Sequence, residues 1–111
     1  MSAKMKWYRK LYTGESARSK RFRIVSRVKH GRYMKDVFLI TLASNPKNLL
    51  DIYPGYMFLQ PYFQEQDMLI LGIALGKDEA FAVAQKIIED VYGNTGALGV
   101  QEYFEPKAER V

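Results

Sequence analysis

Lys20, Arg23 and Arg27 stand three and four residues apart, and Arg18, Arg21, Lys29 and Arg32 flank them. On a helix that spacing lays three cations along one stripe. Lys and Arg gathered in this way gain affinity for a polyanion by releasing its condensed counterions, and a neighbouring aromatic ring stacks on an unpaired base. Trp7, Tyr12, Phe22 and Tyr33 are the rings close enough in sequence to take that part. The competing reading is a solvated helix face that aids solubility or pairs with the acids Glu89, Asp90, Glu102 and Glu105.

The stripe belongs to a wider asymmetry. Residues 1–35 hold twelve of the seventeen Lys and Arg against one acid, Glu15, whereas residues 36–111 hold five bases against eleven acids. A net charge of +5 therefore conceals a basic first third joined to an acidic remainder. Such a division points to an electrostatic partner, nucleic acid first and an acidic protein second, or to a basic element docked on the protein's own acidic part. The sheet-and-helix frame set out below is also that of common RNA-binding modules, but their Lys/Arg-Gly-Phe/Tyr signature is missing from both apolar strands.

Two other constellations carry possible chemistry. Gly14 and Ser16, Ser44 and Asn45, and Gly76 and Lys77 each lie where an expected strand gives way to an expected helix. Free backbone N–H groups at such points bind phosphate. None of the three matches a phosphate-loop or dinucleotide-binding motif, and Glu15 and Asp78 would repel an anion there. Helix capping is the alternative account of these residues. The uncharged stretch 52–64 holds Tyr53, Tyr56, Phe58, Tyr62 and Phe63 with Met57 and Leu59. Exposed, it would be a surface for a protein partner or a second copy of the chain. Buried, it is core, although Pro54 and Pro61 make it a poor central strand.

Composition excludes several activities. With no cysteine there are no disulfides, thiolate metal sites or thiol nucleophile. His30 is the only histidine, so one chain cannot build a two-His metal site, and no partner for it as a general base is evident. No nucleophile elbow accompanies the Ser and Thr residues. No catalytic residue, cofactor or metal is therefore expected. The first seven residues lack the apolar run of a signal peptide, and the apolar runs 37–43 and 68–75 fall far short of the roughly 20 residues that span a bilayer. A cytoplasmic protein with no membrane partner is the expectation.

The elements that must position these residues follow from pattern. The 111 residues suit one domain, with a core at 6–105 and polar tails at 1–5 and 106–111. Residues 6–12 suit a first strand. Ser16 is a candidate N-cap and Gly31 a stop, so 17–30 read as a helix with Ala17, Ile24 and Val28 on one face; a strand alternating through Phe22, Ile24, Ser26 and Val28 is the rival. Residues 36–44 and 68–75 read as strands buried on both faces. Asn45 and Pro46 would open a short helix over 47–53. Residues 77–92 form the plainest helix, with Asp78 and Glu79 in its first turn and Gly93 as its stop, and 100–104 read as a last strand. The order predicts an α+β two-layer sandwich of ferredoxin-like βαββαβ plan. A small parallel sheet with helices on both faces is the alternative.

Three stretches are familiar together: Leu11-Tyr12-Thr13-Gly14-Glu15-Ser16, the run from Ile40 through Asn45-Pro46-Lys47-Asn48 to Ile52, and Glu89-Asp90-Val91-Tyr92-Gly93-Asn94-Thr95-Gly96. With the basic segment, they resemble a family of small uncharacterised bacterial proteins. The resemblance implies no activity, cofactor or site. The functional expectation therefore rests on the residues themselves. It is a non-enzymatic module that meets a polyanion through the basic face; the alternative is an oligomeric or interaction subunit using the aromatic segment, and the third reading is a small-ligand binder at the turns.

Overall fold

The computed structural model describes residues 6–32, 34–42, 49–59, 68–97 and 99–104. Its centre is a pair of apolar strands, β2 (Val37–Leu42) and β4 (Leu69–Leu75), running antiparallel with Val37 opposite Leu75 and Leu39 opposite Ile73. β1 (Lys6–Thr13) lies parallel to β4 on one side, and β3 (Leu50–Pro54) lies antiparallel to β2 on the other. The sheet order is β1-β4-β2-β3. Because successive strand side chains point to opposite faces, β2 and β4 need cover on both. Val37, Leu39, Ile70 and Ile73 enter one core, and Ile40, Leu69, Leu71 and Ala74 enter the other.

Helix α1 (Arg21–Lys29) covers the first core with Ile24 and Val28, after a 3-10 turn at Arg18–Lys20. The helical reading of this segment holds, and Gly31 stops it as expected. With φ at 66°, Gly31 adopts the left-handed conformation that a Schellman end requires. Its N–H donates to Val28 O at 3.1 Å, and Arg32 N–H donates to Arg27 O at 2.8 Å. Ser16 does not cap the helix; the turn starts at Ala17 and no side chain caps it.

The second core is covered by α2 (Lys77–Thr95) with Ala80, Val83, Ile87 and Val91. α2 runs through Gly93 and ends at Gly96, whose φ of 74° and N–H bond to Tyr92 O terminate it. Asn94 and Thr95 turn their side chains onto the carbonyls of Asp90 and Val91, which keeps the last turn wound. Along β1, Trp7 and Leu11 face the α1 side and Tyr8 and Tyr12 the α2 side, as strand alternation requires, and the pairing with β4 shifts register between Trp7 and Tyr12.

Three expectations are corrected. Residues 50–53 are strand rather than helix, because Ile52 and Tyr53 complete the ladder of β2 opposite Ile40 and Leu39. Residues 100–104 are a short helix, α3 (Val100–Phe104), rather than a strand. Val100 and Phe104, four apart, both enter the α2-side core, where Phe104 meets Tyr8 edge-on at 5.0 Å. The class is α+β, but the ferredoxin-like plan is not formed by the described residues: the last strand is absent, β3 is added, and helices occupy both faces instead of one. The antiparallel β2–β4 pair likewise rules out the all-parallel alternative.

Gly72 shows how closely α2 sits on the sheet. A Cβ there would lie 2.9 Å from Val83 Cγ1 and 3.1 Å from the Tyr12 carbonyl oxygen. Overpacking a site of this kind costs about 1–3 kcal/mol. Gly72→Ala should therefore lower the unfolding free energy by that amount, read as a lower urea midpoint at unchanged slope, whereas Gly93→Ala, with nothing near its Cβ, should raise the midpoint.

Candidate polyanion interface

The cations of the basic segment are presented by α1 and its flanks. The helix buries Ile24 and Val28 and turns the opposite side outward. Arg18, Lys20, Arg23, Arg27, Lys29 and Arg32 are exposed, and Arg21 is half-buried. No Asp or Glu occurs between Arg18 and Arg32. Among the described residues, Arg18, Lys20, Arg23 and Arg32 form no ion pair. His30 sits at the C-cap with Nδ1 2.7 Å from Ser26 O, a helix-end contact.

The acids proposed to neutralise this stripe lie elsewhere. Glu89 and Asp90 are on α2, across the sheet. Glu89 accepts from Gln85 Nε2 at 3.1 Å. Asp90 accepts from the Tyr12 hydroxyl at 2.7 Å and pairs with Lys86 Nζ at 3.2 Å. The Tyr12 hydrogen bond, opposed by burial and reinforced by Lys86, holds the Asp90 carboxyl below its ordinary range. Burial, then the same bond and the Asp90 charge, pushes the Tyr12 hydroxyl well above its own. The side chain of Glu102 and all of Glu105 lie outside the described residues.

The four rings proposed for stacking are not brought together. Phe22 stands on the outer side of α1 and is 85% exposed, with the Arg21 guanidinium 5.9 Å from its centroid. Trp7 lies on the α1 side of the sheet, half-buried, with Lys29 Nζ 5.8 Å from its ring. Tyr12 faces the other way, against Phe104 and Asp90. Tyr33 lies outside the described residues.

In the aromatic segment, Tyr53 is part of β3 and Met57 part of a 3-10 turn at Gly55–Leu59, and both pack on the α1-side core. Tyr56 is 58% exposed. The side chain of Phe58, with Tyr62 and Phe63, lies outside the described residues.

A residue that pattern alone assigned to dipole compensation organises the turns. Glu79, in the first turn of α2, reaches back to the loop after β1. Its carboxylate accepts from the backbone N–H groups of Ser16 at 2.9 Å, Ala17 at 3.3 Å and Leu75 at 3.0 Å. The donors an external phosphate would use at Ser16 and Ala17 are thus already engaged by an internal anion. Gly14 permits the approach, because a Cβ there would overlap the Glu79 carboxylate. Gly76, at φ 94°, donates its N–H to Asp36 O at 2.7 Å, and Lys77 begins α2 exposed. Ser44 and Asn45 lie outside the described residues. An open groove of about 410 Å³ adjoins Gly14, but Glu15, Asp78 and Glu79 line it with Lys86 as its one cation, which disfavours an anion.

The Glu79 contact sets a pH dependence. Burial opposes ionisation, but the hydrogen bonds from Leu75, Ser16 and Ala17 outweigh it and lower the carboxyl from its ordinary value of 4.5. A carboxylate held lower in the fold than in the unfolded chain contributes stability above its unfolded value and loses it as pH falls through the folded one. Glu79→Gln should therefore destabilise at pH 7, and its difference from wild type should shrink as pH falls below 4.5; thermal melts across pH 2–7 check this.

No family model, curated protein or solved structure matches the chain.

Proposed function

We propose that the chain is a non-enzymatic binding module whose α1 face meets a polyanion, nucleic acid foremost. One observation supports this reading above the others. Seven cations, with no acid among them, occupy the layer of the fold opposite the carboxylates of α2. A helix intended only to be soluble would mix charges, and one intended to dock on the acidic part of its own chain would face it.

The arrangement also works against the helix that carries it. α1 has no acid in its first turn and no side-chain cap, and Arg18, Lys20 and Arg21 crowd its positive end. Arg23 and Arg27, four apart, repel one another along the same stripe. Only Arg27 and Lys29, in the last turn, agree with the dipole. Each conflict is worth a few tenths of a kcal/mol, and a bound polyanion would relieve them together. Local rules broken in one direction without a structural gain are the mark of a functional surface. Among the described residues no helix is long and apolar enough to cross a membrane, and Ile24 and Val28 are committed to the core.

Fluorescence anisotropy with labelled RNA and DNA at about 50 and 200 mM salt tests the reading. Seven engaged phosphates predict an affinity loss on the order of 10³-fold across that window. The triple variant Lys20→Gln, Arg23→Gln, Arg27→Gln, verified to be folded, should bind more weakly and make the log–log salt slope shallower by about 2. Binding that survives in the triple variant with the wild-type slope would move the site away from α1, and no binding at low salt would end the proposal.

A further inference from the structure

We infer that Phe22 is a stacking platform for an unpaired base, so that the α1 face takes single-stranded nucleic acid in preference to duplex. The inference rests on the polyanion reading above and adds to it a ligand class.

Among the described residues Phe22 is the most exposed of the large apolar side chains, at 85%. A phenyl ring left in water forgoes the stabilisation that burial would provide. The helix has a core face available at Ile24 and Val28, and Phe22 is not on it. The surroundings of the ring narrow the kind of partner that would cover it. Arg18 lies one helical turn before it, Arg23 is its neighbour, and the Arg21 guanidinium is 5.9 Å from its centroid. Exposed Phe81 and Tyr92 occupy α2 instead, on the other face of the sheet, with Asp78, Glu79, Glu89 and Asp90.

An apolar ring set in a field of cations meets two chemistries in one ligand: a flat uncharged surface and closely spaced negative charge. An unpaired nucleotide presents both, because every base has a π-face and carries its phosphate about one residue's length away. Paired bases in a duplex show their edges, and their faces are already stacked. A second copy of this chain docking α1 against α1 would bring seven cations against seven. A lipid surface fits poorly, since an interfacial helix buries a whole apolar face and α1 offers one outward ring. Tyr56, exposed on a 3-10 turn whose Met57 packs in the same core as Ile24 and Val28, lies on the same side of the sheet and supplies a second ring.

The test compares a single-stranded oligonucleotide, as RNA and as DNA, with a duplex and with an abasic phosphodiester chain of equal length. The proteins are wild type, Phe22→Ala and Phe22→Trp. An 85% exposed ring carries no core packing, so Phe22→Ala will fold. Phe22→Ala should weaken single-strand binding by about 5- to 100-fold, the loss of one stacked base, and leave the abasic chain unaffected. Phe22→Trp should restore or tighten single-strand binding, and wild type should prefer single strand to duplex. Equal losses on the single-strand and abasic chains, or no loss on either, would overturn the stacking role while leaving the polyanion face in place. Salt-resistant self-association abolished by Phe22→Ala would overturn it in favour of a second copy. If wild type binds neither bases nor the abasic chain at low salt, the polyanion reading fails first and this one with it.

Discussion

Burial of both faces of the β2–β4 pair is the constraint on which the rest of the molecule depends. Leu39, Ile40, Ile70, Leu71 and Ile73 are fully buried, and alternation sends them in opposite directions. Two apolar faces require two covers, so α1 and α2 cannot share a layer. From that follows the separation of charge across the sheet. The basic helix takes one face, and the helix that bears Asp78, Glu79, Glu89 and Asp90 takes the other. The sheet thus stands between the cations of α1 and its flanks and the four carboxylates of α2.

A partly exposed carboxylate ties α2 to the loop before α1. Glu79 carries the negative end of the α2 first turn to the N–H groups of Ser16 and Ala17, in the loop that leads from β1 to α1. The same carboxylate accepts from Leu75, the last residue of β4. One side chain therefore fixes where β4 ends, where α2 begins and how the chain turns towards the basic helix. Charge-assisted bonds to backbone N–H are among the stronger ones a protein makes. Here they give the Ser16 N–H its acceptor and add to the bond that Ala17 N–H donates to Gly14 O.

Much of this was legible from pattern. Continuous apolar runs announced β2 and β4, helical spacing of Ala17, Ile24 and Val28 announced α1, and the stripe from Ala80 to Val91 announced α2. What misled was local chemistry that tertiary pairing overrode. Asn45-Pro46 is a sound helix-opening signal, yet Leu50–Pro54 joins the exposed edge of β2, because a ladder partner outweighs propensity in a short segment. Val100–Phe104 is apolar enough for a strand, but a run of five does not distinguish period 2 from period 4. Gly93 failed as a stop because Asn94 and Thr95 bond back onto the helix, and the left-handed turn falls at Gly96. At the candidate site the cations were legible and their company was not: of the four rings nominated, Phe22 and Trp7 share the basic side, and Tyr12, an odd number of residues from Trp7 along β1, faces the other.

The amino-acid sequence by itself determined the charge asymmetry, the absence of thiol and two-His metal chemistry, the α+β class and the principal strands and helices. These depend on composition and on periodicities of two and about 3.6 residues, which are local. Tertiary structure alone decided which face each helix covers, that the acids of α2 do not neutralise α1, that Glu79 closes the turn at Gly14, and that Phe22 stands outside the core. Each of these turns on contacts between residues far apart in the chain, such as Glu79 with Ser16 or Tyr12 with Asp90. A one-residue change in register or a bulge reverses which face a side chain occupies, and no local pattern encodes that.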